Sequence, residues 1–473
     1  MDIISHFNKI LKENFNKYLY NYFLDSNFWN KTSDIDNYIN FMTALDDFNY
    51  SFMTNAIKSY FEYIDEIFFN TKYRNKFCVS KGFYSRTILT MFGEVTFKRR
   101  YYYDKKENER FFFTDYFLNL PKRKYFDPFI CANICEESAS FSYSKSGNIV
   151  ANKIGKRINN NIHISRASAR NIVMKFDIDN DNYEENKRRI EKIFVMLDEK
   201  FVGSQFNNGK DHMIKAAVLF ENTELVYKYK KKEDSMNRYR LVNSHTCASI
   251  DNELLNDTID YIYNNYDVDY LKEINFMGDC ALWIKNFPKS SWFKFDNNIQ
   301  INFSMDGFHF SQALGNLTTQ KYDDVYNALY EYVLDNNKED FIRLCNEFLD
   351  LFPERKDVIE SKRDYILNNW NERQFYQNYS YLKCSMESHI SHIFADIFTS
   401  RPKAYSKKGL RQLLKLRLLK VNNKDIKNMY FNNFRIKEMK LNHSSTYYNK
   451  YDTHYNEINF EKLLHFDNYI NFI

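Results

Sequence analysis

The sequence predicts a multidomain protein of mixed α+β and α/β class, in which a sheet core is interrupted by a helical insertion. Three observations carry this prediction. At 473 residues the chain exceeds the ~250–300 residues beyond which a single core stops growing. From Arg189 onward, apolar strand-like runs alternate with helical stretches. Residues 318–380 then return to unbroken helical periodicity.

The predicted segments follow one another in a definite order. Residues 1–80 carry long amphipathic patterns with few breakers, which predict an N-terminal helical region. Residues 81–118 alternate apolar and polar positions, and Gly93 between two β-like runs predicts a small β-hairpin region. The remaining segments are a helical region at 119–185, the first part of the sheet core at 186–317, the helical insertion at 318–380, a last core helix with a basic run at 381–425, and a C-terminal tail at 426–473.

The region at 119–185 has the pattern of a helix-turn-helix. A helix begins at Asp127, an N-cap followed by a proline at the first helical position. The third helix follows the polar turn "NNNIHI" and is capped by Ser165. The last helix of a helix-turn-helix would offer Arg166 and Arg170 to a DNA groove. A small helical bundle without any contact to DNA fits the same pattern.

The composition argues against several classes of protein. Five prolines and ten glycines argue against a collagen-like or flexible low-complexity chain. No run approaches the ~18 apolar residues of a membrane span, and the amphipathic start does not resemble a signal peptide, so we expect a cytoplasmic protein without membrane contact. The seven scattered cysteines form no C-x-x-C pair, which indicates neither a disulfide framework nor a zinc ribbon.

Basic residues are clustered although the net charge is only +5. The longest cluster is "RPKAYSKKGLRQLLKLRLLK", at residues 401–420, which contains no acidic residue. Basic runs usually form a solvated helix face, but several uncompensated clusters favour a polyanionic partner. The cations that we expect to hold a polyanion here are Arg401, Lys403, Lys407, Lys408 and Arg411.

Aspartates stand where three apolar strands are predicted to stop, at Asp198, Asp279 and Asp306. Each alone is more simply a cap or turn residue. Strand ends of an open α/β sheet gather at one edge, however, and carboxylates that converge there repel one another unless a cation lies between them. A divalent ion with oxygen ligands, Mg²⁺ or Mn²⁺, is the natural partner. A further acid, Glu387, begins a helix after the insertion, and His309 follows the third aspartate.

Four blocks in this order carry a resemblance to a known family. They are "VMLDEKFVGSQ", "GDCALWIKN", "MDGFHF" and "MESHISHIFADIFTSRPKAYSKKGL", preceded by "FGEVTFKRRYY". Together they resemble the DDE transposases of Lre-type bacterial insertion sequences, which are similar to the Mutator-related group. The resemblance runs from about residue 92 to residue 417. It implies a ribonuclease-H-like catalytic core whose catalytic, metal-ligating acids are Asp198, Asp279 and Glu387, with an Asp-x-x-His element at Asp306 and His309.

The activity that this resemblance implies is DNA transposition that depends on Mg²⁺ or Mn²⁺. The enzyme would cut at the ends of the element and join the freed 3′-hydroxyl to target DNA. Its partners would be double-stranded DNA, as terminal inverted repeats and as target, and further copies of the chain assembled on that DNA. We therefore expect a cytoplasmic protein that associates with the nucleoid when it is bound to DNA.

Two positions depart from the family pattern. Cys280 stands where the family usually has a glycine after the second aspartate, and Gly307 replaces the usual arginine of the Asp-Arg-Phe-His element. These departures keep two alternatives open. One is a catalytically inactive, transposase-derived DNA-binding protein, and the other is a ribonuclease-H-like nuclease that cuts without joining strands.

Overall fold

The computed structural model describes residues 3–24, 34–118, 120, 122–158, 162–178, 187–205, 211–227, 238–292, 299–319, 322–376, 382, 391–399 and 403–443. The chain divides into two units, one formed by Met1–Asp177 with Asp425–Ile473 and the other by Ile178–Lys424. Helices and strands occur in both units, and the second contains a sheet with parallel and antiparallel pairs. The predicted mixture of helices with a mixed sheet is therefore confirmed.

The first unit begins with helices and continues into a small antiparallel sheet. The helices are α1 (Ile3–Tyr18), α2 (Tyr20–Leu24), α3 (Asp34–Phe69) and α4 (Lys72–Phe77). The strands β1 (Cys78–Thr90), β2 (Gly93–Asp104) and β3 (Glu109–Phe112) lie in the order β1-β2-β3. Helix α3 packs on this sheet through aromatic rings, since Phe61 meets Phe97 edge-on with centroids 4.9 Å apart.

Gly93 makes the turn between β1 and β2 possible. Its φ angle is +124°, and a Cβ atom at this position would lie 2.3 Å from the ring of Tyr50. Only glycine has both the backbone freedom and the small volume that this position requires. The predicted hairpin therefore forms here, with β3 as a third strand.

Further helices complete the first unit. They are α5 (Phe113–Phe117), α6 (Pro128–Ser138), α7 (Tyr143–Ile158) and α8 (Arg166–Val173). Both predicted N-caps are present, because Asp127 accepts a hydrogen bond from the Ile130 amide at 2.7 Å and Ser165 accepts one from the Ser168 amide at 3.1 Å. Helices α6, α7 and α8 contact one another pairwise, as the helices of a helix-turn-helix do.

Part of the segment predicted as a C-terminal tail forms a helix of the first unit. This helix, Ile426–His443, packs against α6, where Phe431 meets Phe129 with ring centroids 4.8 Å apart. Lys427 also pairs with Glu136 at 2.8 Å. The chain thus returns to its first unit after completing the second, and residues 444–473 lie outside the described residues.

The second unit is built on a five-stranded sheet. Its strands are β4 (Lys192–Val202), β5 (His212–Phe220), β8 (His245–Ser249), β9 (Glu273–Gly278) and β10 (Gln300–Met305), in the order β10-β9-β4-β5-β8. The pairs β4–β9 and β9–β10 are parallel, whereas β5 is antiparallel to both of its neighbours. Strands β6 (Asn222–Tyr227) and β7 (Arg238–Val242) form a separate two-stranded ribbon.

Helices α9 (Leu254–Asn265) and α10 (Leu282–Trp292) pack with the sheet strands in one apolar core. Alternate residues of β4 enter this core, namely Ile193, Val195 and Leu197. Because successive side chains of a strand point to opposite faces, Asp198 lies on the other face of the sheet.

The helical insertion forms a core of its own. Its helices are α12 (Asp323–Leu334), α13 (Lys338–Leu351), α14 (Lys356–Asn368) and α15 (Trp370–Tyr376), and α11 (Gly307–Thr318), which follows β10, packs with them. Their buried apolar residues form one cluster that also takes in Cys280 and Met305, which lie just after β9 and at the end of β10. The insertion therefore packs directly on the strand ends where the candidate site lies.

The last part of the second unit contains a π-helical turn, Ser391–Ala395, and helix α16 (Lys407–Val421). Within the basic run at 401–420 the helix begins only at Lys407, because Ser406 caps it by accepting from the Gly409 amide at 3.2 Å. Five of the six leucines of α16 are buried, namely Leu410, Leu413, Leu414, Leu416 and Leu419, and Leu418 is partly buried. No helix within the described residues is long and apolar enough to span a membrane.

Candidate active site at the ends of three parallel strands

Two of the predicted aspartates follow the last residues of paired parallel strands. Gly278 of β9 lies opposite Met305 of β10 in the register of this pair. The next residues along the two strands are Asp279 and Asp306, and the Asp306 amide donates a hydrogen bond to the Gly278 carbonyl at 3.1 Å. The register therefore places these two aspartates side by side at one edge of the sheet.

Asp198 lies at the same level on the third strand, but it does not end that strand as predicted. Parallel pairing of β4 with β9 stops at Met196, two residues before Asp198. Strand β4 nevertheless continues to Val202, because its antiparallel pairing with β5 persists that far. Asp198 thus marks the end of the parallel pairing rather than the end of the strand, and its side chain is only 6% exposed.

Gly278 allows the strands to approach closely beside the site. A Cβ atom here would lie 2.8 Å from the Leu197 carbonyl oxygen and 2.7 Å from a methyl carbon of Ile284. Any side chain would therefore push β9 away from β4 or from α10. The glycine keeps the residues before Asp198 and Asp279 in contact across the strand pair.

Asp306 both caps a helix and holds a histidine. One of its oxygens accepts a hydrogen bond from the His309 amide at 2.9 Å, as an N-cap of α11 does. Its other oxygen lies 2.6 Å from Nδ1 of the same histidine. The aspartate therefore fixes the orientation of the imidazole ring at the strand ends.

Charge on the aspartates keeps His309 protonated. Burial alone would lower the pKa of this histidine, but the hydrogen bond to Asp306 and the negative charges of Asp306, Asp198 and Asp279 outweigh it and raise the pKa to about 9. All three aspartates act on one imidazole because they lie near it. Asp198, Asp279, Asp306 and His309 thus share one site.

The chain turns sharply just after Asp279. Its carboxylate accepts a hydrogen bond from the Ala281 amide at 2.9 Å, which makes the aspartate a local turn residue as well as a candidate ligand. Between them, Cys280 has a φ angle of +68°, a left-handed conformation that is unfavourable for residues with a Cβ atom. Burial raises the pKa of the Cys280 thiol to about 12, so this thiol is neutral and packs as a small apolar group.

A tyrosine from the helical insertion contacts this turn. The Tyr365 hydroxyl, on α14, donates a hydrogen bond to the Asp279 carbonyl oxygen at 2.5 Å. Burial and then the neighbouring groups Cys280, Asp279 and Asp306 raise the pKa of Tyr365, which keeps the hydroxyl protonated. The prediction from sequence missed this residue, because no local pattern marks a contact between positions 86 residues apart.

The first and last of the four sequence blocks meet at the far end of β4. The Tyr405 amide donates to the Gly203 carbonyl at 2.8 Å, and the Gln205 amide donates to the Tyr405 carbonyl at 3.1 Å. The His212 imidazole nitrogen Nε2 also lies 3.0 Å from that carbonyl. Backbone pairing therefore attaches the segment just before α16 to the strand that carries Asp198.

Of the three acids that the resemblance implies as metal ligands, the structure describes two, Asp198 and Asp279. Glu387, the third acid that the resemblance implies, lies outside the described residues. Among the residues that are described, no group of three or more His, Cys, Asp or Glu side chains could hold a metal ion. Asp198 and Asp279 have the chemistry of hard oxygen ligands, and their charges converge on one site, so the residues present fit a divalent cation that needs further ligands.

The predicted cations for DNA lie in two places. On α8 of the first unit, Arg166 and Arg170 are both exposed and one helical turn apart. In the second unit, Lys403 donates to the Ile397 carbonyl at 2.6 Å, and Lys408 is exposed at the start of α16. Arg401 lies outside the described residues.

Two cations of α16 have a carboxylate partner that the basic run did not reveal. Asp251 lies 2.6 Å from both Lys407 Nζ and Arg411 Nη2. Burial alone would raise the pKa of this aspartate, but hydrogen bonds from the two cations lower it. The acid-free run of sequence thus meets an acid from a distant loop.

Comparison with known proteins gives the family of the chain. The relatives include UPF0236 protein TTE0402 of Caldanaerobacter subterraneus subsp. tengcongensis, which is 23% identical over 381 residues, or 79% of this chain and 71% of the relative. UPF0236 protein TTE2489 of the same organism is also 23% identical over 381 residues, covering 79% of this chain and 76% of the relative.

The match to the family as a whole covers both units. Residues 43–433 match the family described as "Uncharacterised protein family (UPF0236)". This range contains the strand-end aspartates, the helical insertion and α16. The chain therefore belongs to the UPF0236 family.

Proposed function

We propose that this chain is a DDE-type DNA transposase of an insertion sequence, which cuts the ends of its element and joins them to target DNA. One observation carries the proposal. Asp198, Asp279 and Asp306 lie at one level of three neighbouring parallel strands, and their charges converge on His309. Acids gathered at one edge of such a sheet are typical of a site for phosphoryl chemistry with divalent cations.

The sheet supports a ribonuclease-H-like core. In the order β10-β9-β4-β5-β8, the parallel strands β4, β9 and β10 lead to the acids, and the antiparallel strands β5 and β8 extend the other side. A helical insertion then precedes the segment that contains Glu387. This order of acids and insertion is the one that the resemblance to Lre-type transposases implies.

Asp198 and Asp279, together with Glu387, would hold the divalent cation. When bound, Mg²⁺ or Mn²⁺ would activate the attacking water or 3′-hydroxyl and stabilise the leaving oxygen of a phosphodiester. The burial of Asp198 and the turn at Asp279 hold the two carboxylates in place before any ligand binds. Little of the energy of binding is then spent on ordering them.

His309 would add a positive charge to a site that is otherwise acidic. Its Nδ1 is bound to Asp306, which leaves Nε2 free of that pair and able to donate to a phosphate oxygen. A protonated imidazole at this place reduces the repulsion between the carboxylates and the DNA backbone. We therefore assign His309 to substrate binding beside the acids.

The exposed cations suit the double-stranded DNA that a transposase holds. Arg166 and Arg170 on α8 would read the terminal repeat from the major groove, and the cations that precede and begin α16 would track phosphates. The first group would confer sequence preference, and the second would confer affinity that falls with salt. We infer that the chain assembles as a homo-oligomer on DNA, since two ends must be held together, and that it is then associated with the nucleoid.

The name of one relative supports the proposal that this chain is encoded by a mobile element. One relative that is 23% identical over 382 residues carries eleven locus labels of one bacterium in its name. Several copies of one protein in a genome are what transposition leaves behind. We therefore propose that the present chain also belongs to an element that moves within a genome.

Cleavage and strand joining on DNA that carries the flanking element ends test the proposal. Wild-type protein with Mg²⁺ or Mn²⁺ is expected to give cut and joined products, and Asp279→Asn is expected to lose them while the protein still binds the ends. Asp269→Asn, at an exposed aspartate of the same unit, serves as the matched control and is expected to retain full activity.

The same experiment separates the alternatives. Binding of the ends without products under either metal would favour the catalytically inactive relative, an outcome in line with the left-handed Cys280 beside the acids. Cut products without joined ones would favour a nuclease. Unchanged repeat binding by Arg166→Ala and Arg170→Ala would remove α8 as the reader of the repeat.

A further inference from the structure

Asp279 lies on a turn that is stabilised only partly by hydrogen bonds between residues adjacent in sequence. The turn contains the left-handed residue Cys280, and its local hydrogen bond joins the Asp279 carboxylate to the Ala281 amide. A left-handed residue with a Cβ atom costs free energy, so surrounding structure must stabilise this conformation. The stabilising contacts come from a segment that follows much later in the chain.

The helical insertion supplies these contacts. Cys280 is buried in the apolar core of the insertion, among residues that include Ile366 and Trp370. Lys285 of α10 donates to the Asn369 side chain at 2.8 Å and pairs with Glu372 at 2.9 Å. The insertion therefore contacts the turn itself and the helix that follows it.

A further contact acts on the aspartate directly. The Tyr365 hydroxyl donates to the backbone carbonyl of Asp279 at 2.5 Å, on the residue whose carboxylate is the candidate ligand. A fixed carbonyl restricts rotation of the peptide plane between Asp279 and Cys280. Because the carboxylate is also tied to the Ala281 amide, the position of this plane determines where the carboxylate points.

We propose that Tyr365 is a positioning residue, through which the helical insertion holds the backbone of Asp279 so that its carboxylate faces the other acids of the site. This inference rests on the proposed function for the role of Asp279, but not for the contact itself. It gives the insertion a definite task in the chemistry of the core. Loss of the hydroxyl should loosen the turn without removing any candidate ligand.

The test compares Tyr365→Phe with Tyr332→Phe, since both remove one hydroxyl from a partly buried tyrosine of the insertion. Hydrogen–deuterium exchange of the backbone at residues 280–283 is expected to rise about tenfold or more in Tyr365→Phe and to stay at the wild-type level in Tyr332→Phe. Mn²⁺ affinity, measured by electron paramagnetic resonance of the free ion, is expected to fall about tenfold in Tyr365→Phe alone. The thermal midpoint of Tyr365→Phe is expected to fall by only about 2–4 °C, the effect of one lost hydrogen bond, and backbone exchange elsewhere in the second unit should stay at the wild-type level.

Cleavage activity completes the experiment. If the proposed function holds, Tyr365→Phe should need more Mn²⁺ for half-maximal cleavage, with DNA-end binding unchanged. If the wild type does not cut at all, the proposed function fails, and the exchange measurement still decides the role of Tyr365. Equal exchange at residues 280–283 in the two tyrosine variants would overturn the inference, whatever the activity.

Discussion

Cys280, next to the candidate ligand Asp279, has a left-handed backbone conformation that is unfavourable for a residue with a side chain. Its φ angle of +68° would suit glycine, whereas a side chain at this position must be accommodated by burial. The thiol contributes apolar packing to the core of the insertion. Burial and strain thus act in opposite directions at one residue next to Asp279.

We predict that Cys280→Gly is more stable than Cys280→Ala by about 1 kcal/mol, since both lose the thiol but only alanine keeps the left-handed penalty. Urea unfolding of the two variants measures the difference. Cys345, a buried cysteine inside α13, provides the control with the opposite sign. There Cys345→Gly should be less stable than Cys345→Ala by about 1 kcal/mol. The same order at both positions would show that the left-handed conformation at Cys280 is not strained.

His245 gives the second residue-scale prediction, which concerns pH. Burial, then the positive charges of Lys424 and Arg188, lower the pKa of this histidine to about 3, and its ring stacks on Tyr261 with centroids 3.7 Å apart. The unfolded chain has the ordinary value of 6.5 and so binds the proton more readily. The contribution of neutral His245 to stability is therefore present above pH 6.5 and is lost progressively as the pH falls toward 3.

Urea unfolding at several pH values between about 4 and 7.5 measures this effect. His245→Phe, which keeps a ring for the stack, is expected to lose less stability than the wild type as the pH falls. The difference should reach at most about 1.4 kcal/mol per pH unit, the value for one proton. Parallel curves for the two proteins would contradict the assignment.

At the scale of elements, α16 illustrates how a charged sequence is divided between core and surface. Most of its leucines are buried, whereas its cations are exposed or partly buried. Arg417 even donates to the Ile393 carbonyl at 2.8 Å, which makes it a structural residue rather than a free cation. Because Asp251 pairs with Lys407 and Arg411, part of the positive charge of α16 is compensated within the chain.

We predict that Asp251→Asn binds double-stranded DNA more tightly, by about two- to tenfold at low salt, because it releases Lys407 and Arg411 for phosphates. Lys408→Ala should weaken binding and reduce the slope of log K against log salt by about 0.9, the value for one phosphate contact. Fluorescence anisotropy over a range of salt concentrations measures both. Asp269→Asn makes the same change of net charge away from α16, and an equal gain in this control would show that only net charge matters.

At the scale of the whole molecule, the second unit is continuous in sequence and the first is not. Ile178–Lys424 contains both the sheet core and the core of the insertion, whereas the first unit needs the helix Ile426–His443, which follows the second unit. A unit with its own core can in principle fold alone. The order of the chain therefore favours independent folding of the second unit.

We predict that the fragment 178–424 unfolds in one cooperative transition by urea with a mixed helix and strand signal in circular dichroism. The fragment 1–177 is expected to have a lower thermal midpoint alone than with the peptide 425–443 added. The peptide should raise the midpoint because its Phe431 and Lys427 restore contacts with Phe129 and Glu136. A scrambled peptide of the same composition is the control. An equal effect of both peptides would contradict this division of the chain.

The sequence by itself determined many of the helices and strands and the positions of the candidate acids along the chain. Alternation and helical periodicity are local, so β9, β10, α9 and the helices of the insertion could be predicted from short windows, as could the caps at Asp127 and Ser165. The aspartates at Asp279 and Asp306 were also visible, since apolar strands end beside them. Asp198, Asp279 and Asp306 lie at one edge of the sheet, as predicted, whereas Glu387 lies outside the described residues.

Only the tertiary structure decided the contacts between distant segments. Strand β4 runs past Asp198 because β5 continues to pair with it, Asp251 reaches α16 across 160 positions, and Tyr365 reaches Asp279 across 86. None of these contacts leaves a local pattern, because each depends on where folding brings two separate elements together. Sequence patterns report the preferences of a segment, whereas the geometry of a site is set by packing between segments that are remote along the chain.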